Sequence, residues 1–376
     1  MSRSSQSKIS SLNIHGIDAC TLERDTIKEV FATAIPQPGE EIRSLIKRVR
    51  GLLGDTNAEV VRMHVFGGVD HFDEFADATM AELGDISWPL TFVEGDSCTQ
   101  TSLAGIQLHA VSDALVDTIR LGGAPVGRVF ADSHARYCYL GDLRASDTNR
   151  SRAEQGRESF LLLENGLEAA GMSMDELVRT WLFIDDILDW YDDFNKMRDV
   201  FFNERGMFDR FLPASTGIGG ANPYGAAVAL CAVALQPLDD SAVVQEVLSP
   251  MQCPAHDYGS SFSRAAGIDT PDYRCVLVSG TASIAPEGET VHVGDTQAQV
   301  DLTMRVVREI LKSRGLDFKD TTRANAYFKH QNDASGFGDH CEKYGLPPTR
   351  VVVSEDAVCR DDLLFEIELD AFSEVR

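Results

Sequence analysis

Arg350 and Glu366, near the C-terminal end of the chain, are residue types that could together do acid chemistry on a small carboxylate. Arg350 follows Pro348-Thr349, and its rigid guanidinium fork matches a carboxylate in two parallel hydrogen bonds. Glu366 lies in an apolar stretch, where loss of hydration should raise the pKa of its carboxyl and make it a general acid near neutral pH. With Arg350 as carboxylate clamp and Glu366 as acid, the two could form a site for such chemistry, an interpretation that depends on the series of motifs around them. The alternative is that the two residues form a structural ion pair.

The chemistry open to such a pair is protonation of an electron-rich carbon. A carboxylic acid beside a bound enol ether or enamine can protonate the nucleophilic carbon, and the resulting oxocarbenium or iminium ion then takes up water. The same reaction logic covers release of pyruvate from an enolpyruvyl ether and hydrolysis of an imine. Both candidate reactions act on a small-molecule carboxylate substrate.

The elements that must position these residues recur along the chain. In the last third, apolar periodicity and glycine or proline stops predict the order β-α-β-α-β-β, with the elements at residues 273–279, 296–314, 322–329, a short helical stretch, 350–353 and 363–371. The middle third repeats that order at residues 135–141, 153–170, 177–184, 190–203, a strand opened by Pro213, and 226–235. The first third repeats it more faintly at residues 39–53, 59–66, 72–83, 90–94 and 102–111.

These repeats predict an α+β fold made of three tandem units arranged as an intramolecular pseudo-trimer, with sheets inward and helices outside. We place the units at residues 1–115, 120–238 and 255–376, with linkers near 113–121 and 238–254. An intramolecular trimer needs no partner subunit, so we expect a monomer or a weak homo-oligomer.

The motifs of the last third, taken in sequence, point to a known family. They are Ser-Phe-Ser-Arg-Ala at 261–265, Val-Ser-Gly at 278–280, Gly-Asp-x-x-x-Gln at 294–299, Pro-Thr-Arg at 348–350 and Phe-Glu-Ile-Glu at 365–368. This series resembles the RidA/YjgF superfamily, also called endoribonuclease L-PSP, well across 261–372, fairly across 135–236 and weakly before 112. Within the superfamily, residues 280–284 and 358–368 look like the chorismatases, enzymes that remove pyruvate from chorismate.

The resemblance implies a trimer-like arrangement with sites between adjacent units, and a carboxylate-gripping role for Arg350. Counterparts of Arg350 in the other two units are Ser215 and Thr91, and counterparts of Glu366 are about Ala229 and Gly105. Because only the third unit keeps both groups, we expect one pocket per chain.

The resemblance also suggests further residues of the pocket. Arg264 stands where simpler family members carry Gln, and a second arginine would suit a second carboxylate; a surface salt bridge is the alternative. Cys359 lies near the place of a cysteine implied in chorismatases that make hydroxybenzoates; a buried structural cysteine is equally compatible. The motif residues Ser263, Gly280 and Thr281 complete the predicted binding set. Arg136 and Tyr139 of the middle unit could reach the same pocket across an interface between units.

Composition limits the other classes of function. The 34 Lys and Arg residues against 59 Asp and Glu residues give a formal net charge of −25, which argues against a ribonuclease or any general nucleic-acid binder. No apolar run is long enough for a membrane span, and we expect a cytoplasmic protein that does not act at a membrane. A non-catalytic protein that binds a small metabolite remains the alternative to an enzyme.

Two further patterns are interpreted as structural. Asp185-Asp186-x-x-Asp189 copies a magnesium-diphosphate motif, but it falls between a predicted strand and helix and is interpreted as helix capping. The eight cysteines form no C-x-x-C pair, and apart from Cys359 they are interpreted as reduced, buried side chains. We expect no metal and no cofactor.

Overall fold

The computed structural model describes residues 7–24, 27–254 and 261–375. Within these ranges the chain forms nineteen β-strands, six α-helices and three mixed sheets, which confirms the predicted α+β class. In the described part of the chain, no helix is both long and apolar enough to cross a membrane.

The first sheet has the strand order β1-β2-β3-β7-β4-β5. Its elements are β1 (Lys8–Ile14), β2 (Ile17–Glu23), β3 (Lys28–Ala34), α1 (Ile42–Thr56), β4 (Glu59–Gly67), α2 (Phe72–Leu83), β5 (Leu90–Val93) and β7 (Leu103–Ser112). The short strand β6 (Asp96–Ser97) leaves this unit and pairs with the third sheet.

The second sheet has the order β12-β11-β13-β10-β9-β8. Its elements are β8 (Asp117–Leu121), β9 (Ala124–Ala131), β10 (Ala135–Leu143), α3 (Arg152–Ala169), β11 (Leu177–Ile184), α4 (Ile187–Asn203), β12 (Ala214–Gly219) and β13 (Val228–Pro237).

The third sheet has the order β14-β15-β16-β19-β17-β18-β6. Its elements are β14 (Val243–Val247), β15 (Ala265–Asp269), β16 (Tyr273–Ala282), α5 (Thr296–Ser313), β17 (Thr321–Phe328), α6 (Phe337–Tyr344), β18 (Val351–Glu355) and β19 (Phe365–Glu374).

The predicted β-α-β-α-β-β order is present in each sheet. The six elements are β3-α1-β4-α2-β5-β7, then β10-α3-β11-α4-β12-β13, then β16-α5-β17-α6-β18-β19. In all three, the last strand lies between the first and second, and the second pairs with the third in parallel. Sequence analysis missed the two strands that precede each set and, in the first sheet, also β3. Residues 243–247, expected to be part of a linker, form β14.

Each sheet packs its helices on one face, and its other face contributes to a shared core. Three apolar clusters each belong to one sheet and its helices, whereas a fourth takes residues from all three sheets, including Phe66, Trp181 and Tyr327. Sites between sheets can therefore form only where this shared core gives way to polar side chains.

A group of buried charged residues lies in the shared core. Arg62, Arg179 and Arg323 occupy matching positions on β4, β11 and β17, since they pair in register with His109, Val233 and Asp370 of the last strands. Their guanidinium carbons lie 4.5, 4.8 and 5.0 Å from the ring centroid of Trp181. The three equivalent strands thus converge on one point.

Candidate active site

The cavity that contains Glu366 lies between the second and third sheets. Glu366 extends from β19 and faces Gly280 of β16, while β12 and α4 supply the opposite wall. The remaining lining residues are Tyr191, Arg198, Ser215, Gly217, Phe262, Arg264, Ala282, Ile284, Cys359, Arg360 and Leu363. Both sheets therefore build the site, as the family resemblance predicts for a site between units.

Glu366 is a buried carboxyl without an ion-pair partner among the described residues, and it is only 4% exposed. Burial, and to a smaller extent the negative charge of Glu368, raise its pKa to about 8, and the cation of Arg179 opposes the shift. At neutral pH the side chain is therefore mostly a neutral acid, the protonation state that a proton donor requires. This agrees with the expectation drawn from its apolar sequence neighbours.

Gly280 provides the space that the Glu366 carboxyl occupies. A Cβ atom at this position would lie 2.0 Å from Glu366 Oε1 and 3.2 Å from Thr216 Cγ2. The backbone N–H of Gly280 donates to Thr216 Oγ1 at 3.0 Å, at a register shift between β16 and β19. The local irregularity of β16 therefore brings its backbone against both the acid and the second sheet.

Ser263 and Thr281 lie near the contact between β16 and the second sheet and do not line the cavity. Ser279 Oγ donates to the backbone oxygen of Ser263 at 2.6 Å and accepts from the backbone N–H of Ser215 at 2.9 Å. The hydroxyl of Thr281 donates to the backbone oxygen of Ser279 at 2.8 Å. Ser263 thus takes part, through Ser279, in the contact between the two sheets, whereas the Thr281 hydroxyl bonds within β16.

Two buried guanidinium groups line the cavity. Arg198, on α4, is 2% exposed; its Nη2 donates to Asn195 Oδ1 at 2.9 Å, and its Nε has no hydrogen-bond partner. No carboxylate of the described residues forms a salt bridge with Arg198. Arg264 is 3% exposed and donates from Nε to the backbone oxygen of Cys253 at 3.1 Å. Buried cations near an uncharged acid make this cavity suited to an anionic ligand.

Cys359 lies in the cavity wall, where sequence analysis placed it. Burial and the neighbouring Glu366 carboxyl raise the pKa of its thiol to about 12, and Arg360 opposes the shift. The thiol is therefore protonated at neutral pH, and it could act as a weak hydrogen-bond donor rather than as a nucleophile.

The structure does not bring Arg350 to Glu366. Arg350 lines a different cavity, against the first sheet, and is 6% exposed. Its Nε lies 3.1 Å from Asp18 Oδ1 and its Nη1 donates to the backbone oxygen of Thr321 at 2.7 Å, while Nη2 donates to the hydroxyl of Ser11. Neither the predicted clamp beside Glu366 nor the alternative ion pair with Glu366 is present.

The reason is that the cavity joins residues of neighbouring sheets. Glu366 of the third sheet faces β12 of the second sheet, where Ser215 lines the cavity. The strand registers align Ser215 with Val351. The counterpart of Arg350 on the second sheet is therefore Ala214 and not Ser215. Arg350 itself faces the first sheet. Sequence analysis compared the positions of Arg350 and Glu366 within one sheet. These two residues line different cavities.

Arg136 and Tyr139 also lie away from the Glu366 cavity. Arg136 donates to Gln236 Oε1 and to the backbone oxygen of Ala170, both at 2.7 Å, and so fastens the end of α3 to the second sheet. The ring of Tyr139 lies in the shared core, 4.8 Å from the His109 ring and 5.8 Å from the Arg62 guanidinium.

Sequence analysis missed most of the wall supplied by the second unit. Arg198 had a usable signal, because it follows Phe194 by four residues and therefore lies on the buried face of α4. A cation on the apolar face of a helix requires a polar partner. Here the guanidinium group of Arg198 faces the cavity. Tyr191 and Phe262 carried no comparable signal, since aromatic residues at such positions more often fill cores.

The equivalent place between the first and second sheets carries other residues. Asp142 stands where β16 has Gly280, and its backbone N–H donates to Thr91 Oγ1 at 3.0 Å, matching the Gly280–Thr216 bond. The position of Glu366 is taken by Ala229, which pairs with Phe183 as Glu366 pairs with Tyr327. This interface therefore has neither a counterpart of the Glu366 carboxyl nor a glycine at the position of Gly280.

Within the described residues, no group of three or more His, Cys, Asp or Glu side chains could hold a metal ion. Asp186 begins α4 without a side-chain capping bond, and its carboxylate lies 2.6 Å from Arg152 Nη2. Asp189 Oδ2 lies 3.8 Å from Arg152 Nη1. The predicted cap is thus an exposed ion-pair group.

Comparison with known proteins relates this chain to chorismate enzymes. No protein-family model matches it. A chorismatase of Streptomyces rapamycinicus is 29% identical over 217 residues, which cover 51% of this chain and 63% of that protein. A 3-hydroxybenzoate synthase of Streptomyces hygroscopicus is 29% identical over 247 residues, covering 57% of this chain and 68% of that protein. The similarity thus spans somewhat more than half of each relative.

Solved structures show the same relation at the level of the fold. A crystal structure of a chorismatase superposes with a TM-score of 0.64 and 19% identity, covering 83% of this chain and 92% of that chain. A putative endoribonuclease L-PSP from Entamoeba histolytica covers 34% of this chain and 98% of its own length, with a TM-score of 0.30 and 19% identity. The chorismatase-like resemblance of the C-terminal motifs is confirmed: the chain is similar in sequence to a chorismatase and to a 3-hydroxybenzoate synthase, and similar in fold to a chorismatase.

Proposed function

We propose that the chain is an enzyme that processes chorismate or a closely related enolpyruvyl ether, with the Glu366 cavity as its active site. The observation that carries the proposal is a buried, neutral glutamic acid in the same cavity as two buried guanidinium groups. Similarity to a chorismatase and to a 3-hydroxybenzoate synthase supports this choice of substrate.

Arg198 and Arg264 bind the substrate carboxylates in this proposal, in place of Arg350. Chorismate carries two carboxylates, and two guanidinium groups line the cavity that would receive them. The apolar side chains of Phe262, Ile284 and Leu363 line the same cavity and would contact the ring. Glu366, being neutral, adds no repulsion against a dianion.

Glu366 then supplies the proton for cleavage of the enol ether. The carboxyl proton moves to the terminal methylene carbon, whose double-bond electrons form the new C–H bond and leave an oxocarbenium ion. Water adds to this ion and loses a proton, which returns to Glu366. The hemiketal formed splits into pyruvate and the ring alcohol, so that one water is consumed for each substrate cleaved. A general acid of pKa about 8 remains protonated over the neutral range in which this step would run.

A second candidate is conversion of the same substrate to pyruvate and a hydroxybenzoate. The neutral thiol of Cys359 in the cavity wall and the relative named 3-hydroxybenzoate synthase favour it. Pyruvate and hydroxybenzoic acid together contain the atoms of chorismic acid, so this route consumes no net water. A Cys359→Ala variant should then release the ring as the alcohol and not as the aromatic product.

Incubating the purified protein with chorismate, and separately with a mixture that generates 2-aminoacrylate, tests the proposal. We expect pyruvate from chorismate above the uncatalysed rate, together with one ring product identified by chromatography. Acceleration with 2-aminoacrylate alone would indicate an imine hydrolase, and binding of chorismate without turnover would indicate a metabolite-binding protein. Either result would overturn the proposal.

We further propose that residues 1–115, 120–238 and 255–376 are three units of one fold that form an intramolecular pseudo-trimer. The shared strand order and the convergence of Arg62, Arg179 and Arg323 support this arrangement. Between the second and third units the cavity holds the acid, whereas Asp142 fills the matching place between the first and second.

A further inference from the structure

Glu368 lies two residues after Glu366 on β19 and belongs to the buried charged group of the shared core. Its Oε1 accepts from Arg323 Nη1 and Asn325 Nδ2, and its Oε2 accepts from Arg323 Nη2 and Arg179 Nη2, all at 2.7 Å. The side chain is fully buried and does not line the cavity. Such a bonding set holds Glu368 as a fixed carboxylate, and its pKa is lowered accordingly by the Arg323 and Arg179 cations, against the effect of burial.

This carboxylate is connected to the proposed acid in two ways. Glu366 and Glu368 lie two residues apart on one strand, so their side chains lie on the same face of the sheet. Arg179 Nη2, which donates to Glu368, also donates to Thr216 Oγ1 at 2.6 Å, and the same oxygen accepts the backbone N–H of Gly280 at 3.0 Å. Gly280 in turn lies against the Glu366 carboxyl. An unbroken series of contacts therefore runs from the shared core to the acid.

We propose that Arg179 and Glu368 are positioning residues for the reaction: they hold the Glu366 carboxyl against Gly280 and set its charge state. Neither residue lines the cavity, so neither touches substrate. The proposal rests on the proposed function for its catalytic meaning, but the effect on Glu366 is a property of the protein and can be measured without turnover.

The charges around Glu366 have opposite effects. Glu368 disfavours a second carboxylate on the same face, whereas Arg179 favours one, and these are the two charged groups that shift the pKa of Glu366 beyond burial itself. The other titratable groups facing the cavity are Tyr191 and Arg198 on α4, Arg264 before β15, and Cys359 and Arg360 after β18. Because Glu368 raises the pKa of Glu366 and Arg179 lowers it, removing one or the other should shift this pKa in opposite directions.

The test is the pKa of the Glu366 carboxyl, measured by ¹³C NMR titration of protein labelled at glutamate side-chain carboxyls and assigned with Glu366→Gln. Glu368→Gln should lower this pKa and Arg179→Met should raise it, each by about 1 unit or more, the size expected for removal of one nearby charge. The matched control Arg179→Lys keeps the cation and should leave the pKa closer to the parent value than Arg179→Met does. Shifts of the same sign, or none, would overturn the proposal.

Activity provides an independent readout. With chorismate as substrate, the upper pH limb of kcat/KM should move down in Glu368→Gln and up in Arg179→Met, in step with the titration. If the parent protein does not process chorismate, the proposed function fails, while the titration still decides the effect on Glu366.

If either charge variant does not fold, Thr216→Val tests the same proposal. It removes the hydroxyl that links Arg179 to the Gly280 backbone and changes no charge. We expect kcat to fall at least threefold with KM unchanged, together with a displaced Gly280 amide resonance. Unchanged kcat with a displaced amide would contradict the positioning role, as would a raised KM with kcat unchanged.

Discussion

Glu366 and Glu368 show how the surroundings of a residue decide its chemistry. Both are buried on the same face of β19, yet burial leaves Glu366 neutral with a pKa of about 8, whereas Arg323, Arg179 and Asn325 hold Glu368 as an anion. A buried carboxyl that meets no cation keeps its proton, and a buried carboxyl that meets several donors loses it. Only the first can serve as a proton donor at neutral pH.

The raised pKa of Glu366 predicts how stability depends on pH. Between the unfolded value of 4.5 and the folded value of about 8, the native state binds this proton more tightly, so the free energy of unfolding contributed by Glu366 falls as pH rises through that window. Glu366→Gln removes this dependence. Urea denaturation at pH 5 and pH 8 should therefore show the variant gaining stability relative to the parent at the higher pH. A variant less stable at both values, by a constant amount, would indicate a structural ion pair instead.

Arg350 should contribute to stability, and Arg198 should bind substrate, although the motifs alone suggest Arg350 as the substrate-binding residue. Arg350→Ala leaves Asp18 without its buried partner, which should cost about 3–5 kcal/mol of stability while KM stays unchanged. Arg198→Lys should raise KM at least tenfold with little loss of stability, because an ammonium cannot reproduce the guanidinium fork. Chemical denaturation and steady-state kinetics of both variants check this. A large KM effect from Arg350→Ala in folded protein would return the clamp to Arg350.

At the scale of elements, the site depends on how β16, β19 and β12 meet. The register shift in β16 turns the backbone N–H of Gly280 towards Thr216 of β12, and the missing side chain leaves room for the Glu366 carboxyl. Helix α4 adds Arg198 from the same unit as β12. Two strands of the third sheet, together with strand β12 and helix α4 of the second, therefore define the cavity.

Gly280→Ala should disable the acid without unfolding the protein. The new Cβ would overlap the end of the flexible Glu366 side chain, which must then swing away from its place. We expect kcat to fall at least tenfold with a modest change in melting temperature. The matched control is Gly338→Ala in α6, where a Cβ meets nothing within 4 Å, and it should leave kcat unchanged. Full activity of Gly280→Ala would show that the acid does not need this position.

Most helices and strands of the repeated units could be predicted from sequence, because their apolar periodicity matches one buried face. Residues 177–184 and 72–83 form an element with the predicted bounds. The preceding strand pairs, such as β1 and β2, were missed, as was β3; of these, β1 is the outermost strand of its sheet and alternates only partly between buried and exposed residues. Glu366 could be placed in a site from its apolar neighbours, but the wall supplied by α4 could not.

At the scale of the whole molecule, three sheets meet on one buried core and create their cavities at the seams. Strand periodicity indicates that units repeat; which unit faces which depends on packing across the seams, which a single sequence does not show. That is why Arg350 and Glu366, neighbours in their motif series, line cavities against different sheets. The contact between the second and third sheets contains the proposed active site. At the matching contact between the first and second sheets, Asp142 takes the position of Gly280.

Burial of all three inner faces predicts the state of the protein in solution. Since the sheet faces that are free of helices already pack against each other, we expect a monomer or a weak dimer. Light scattering after size-exclusion chromatography should give a mass near 41.2 kDa at low micromolar concentration. An obligate trimer of chains would contradict the intramolecular arrangement.

The most direct test of the central claim is pyruvate release from chorismate by the parent protein and by Glu366→Gln at the same pH. If Glu366 is the proton donor, the variant should lose about 10²–10⁴-fold in turnover, the usual contribution of a positioned general acid. Its affinity for chorismate should stay close to that of the parent, because Arg198 and Arg264 hold the carboxylates. Turnover by Glu366→Gln at nearly the parent rate would remove the glutamate from the mechanism and contradict the account.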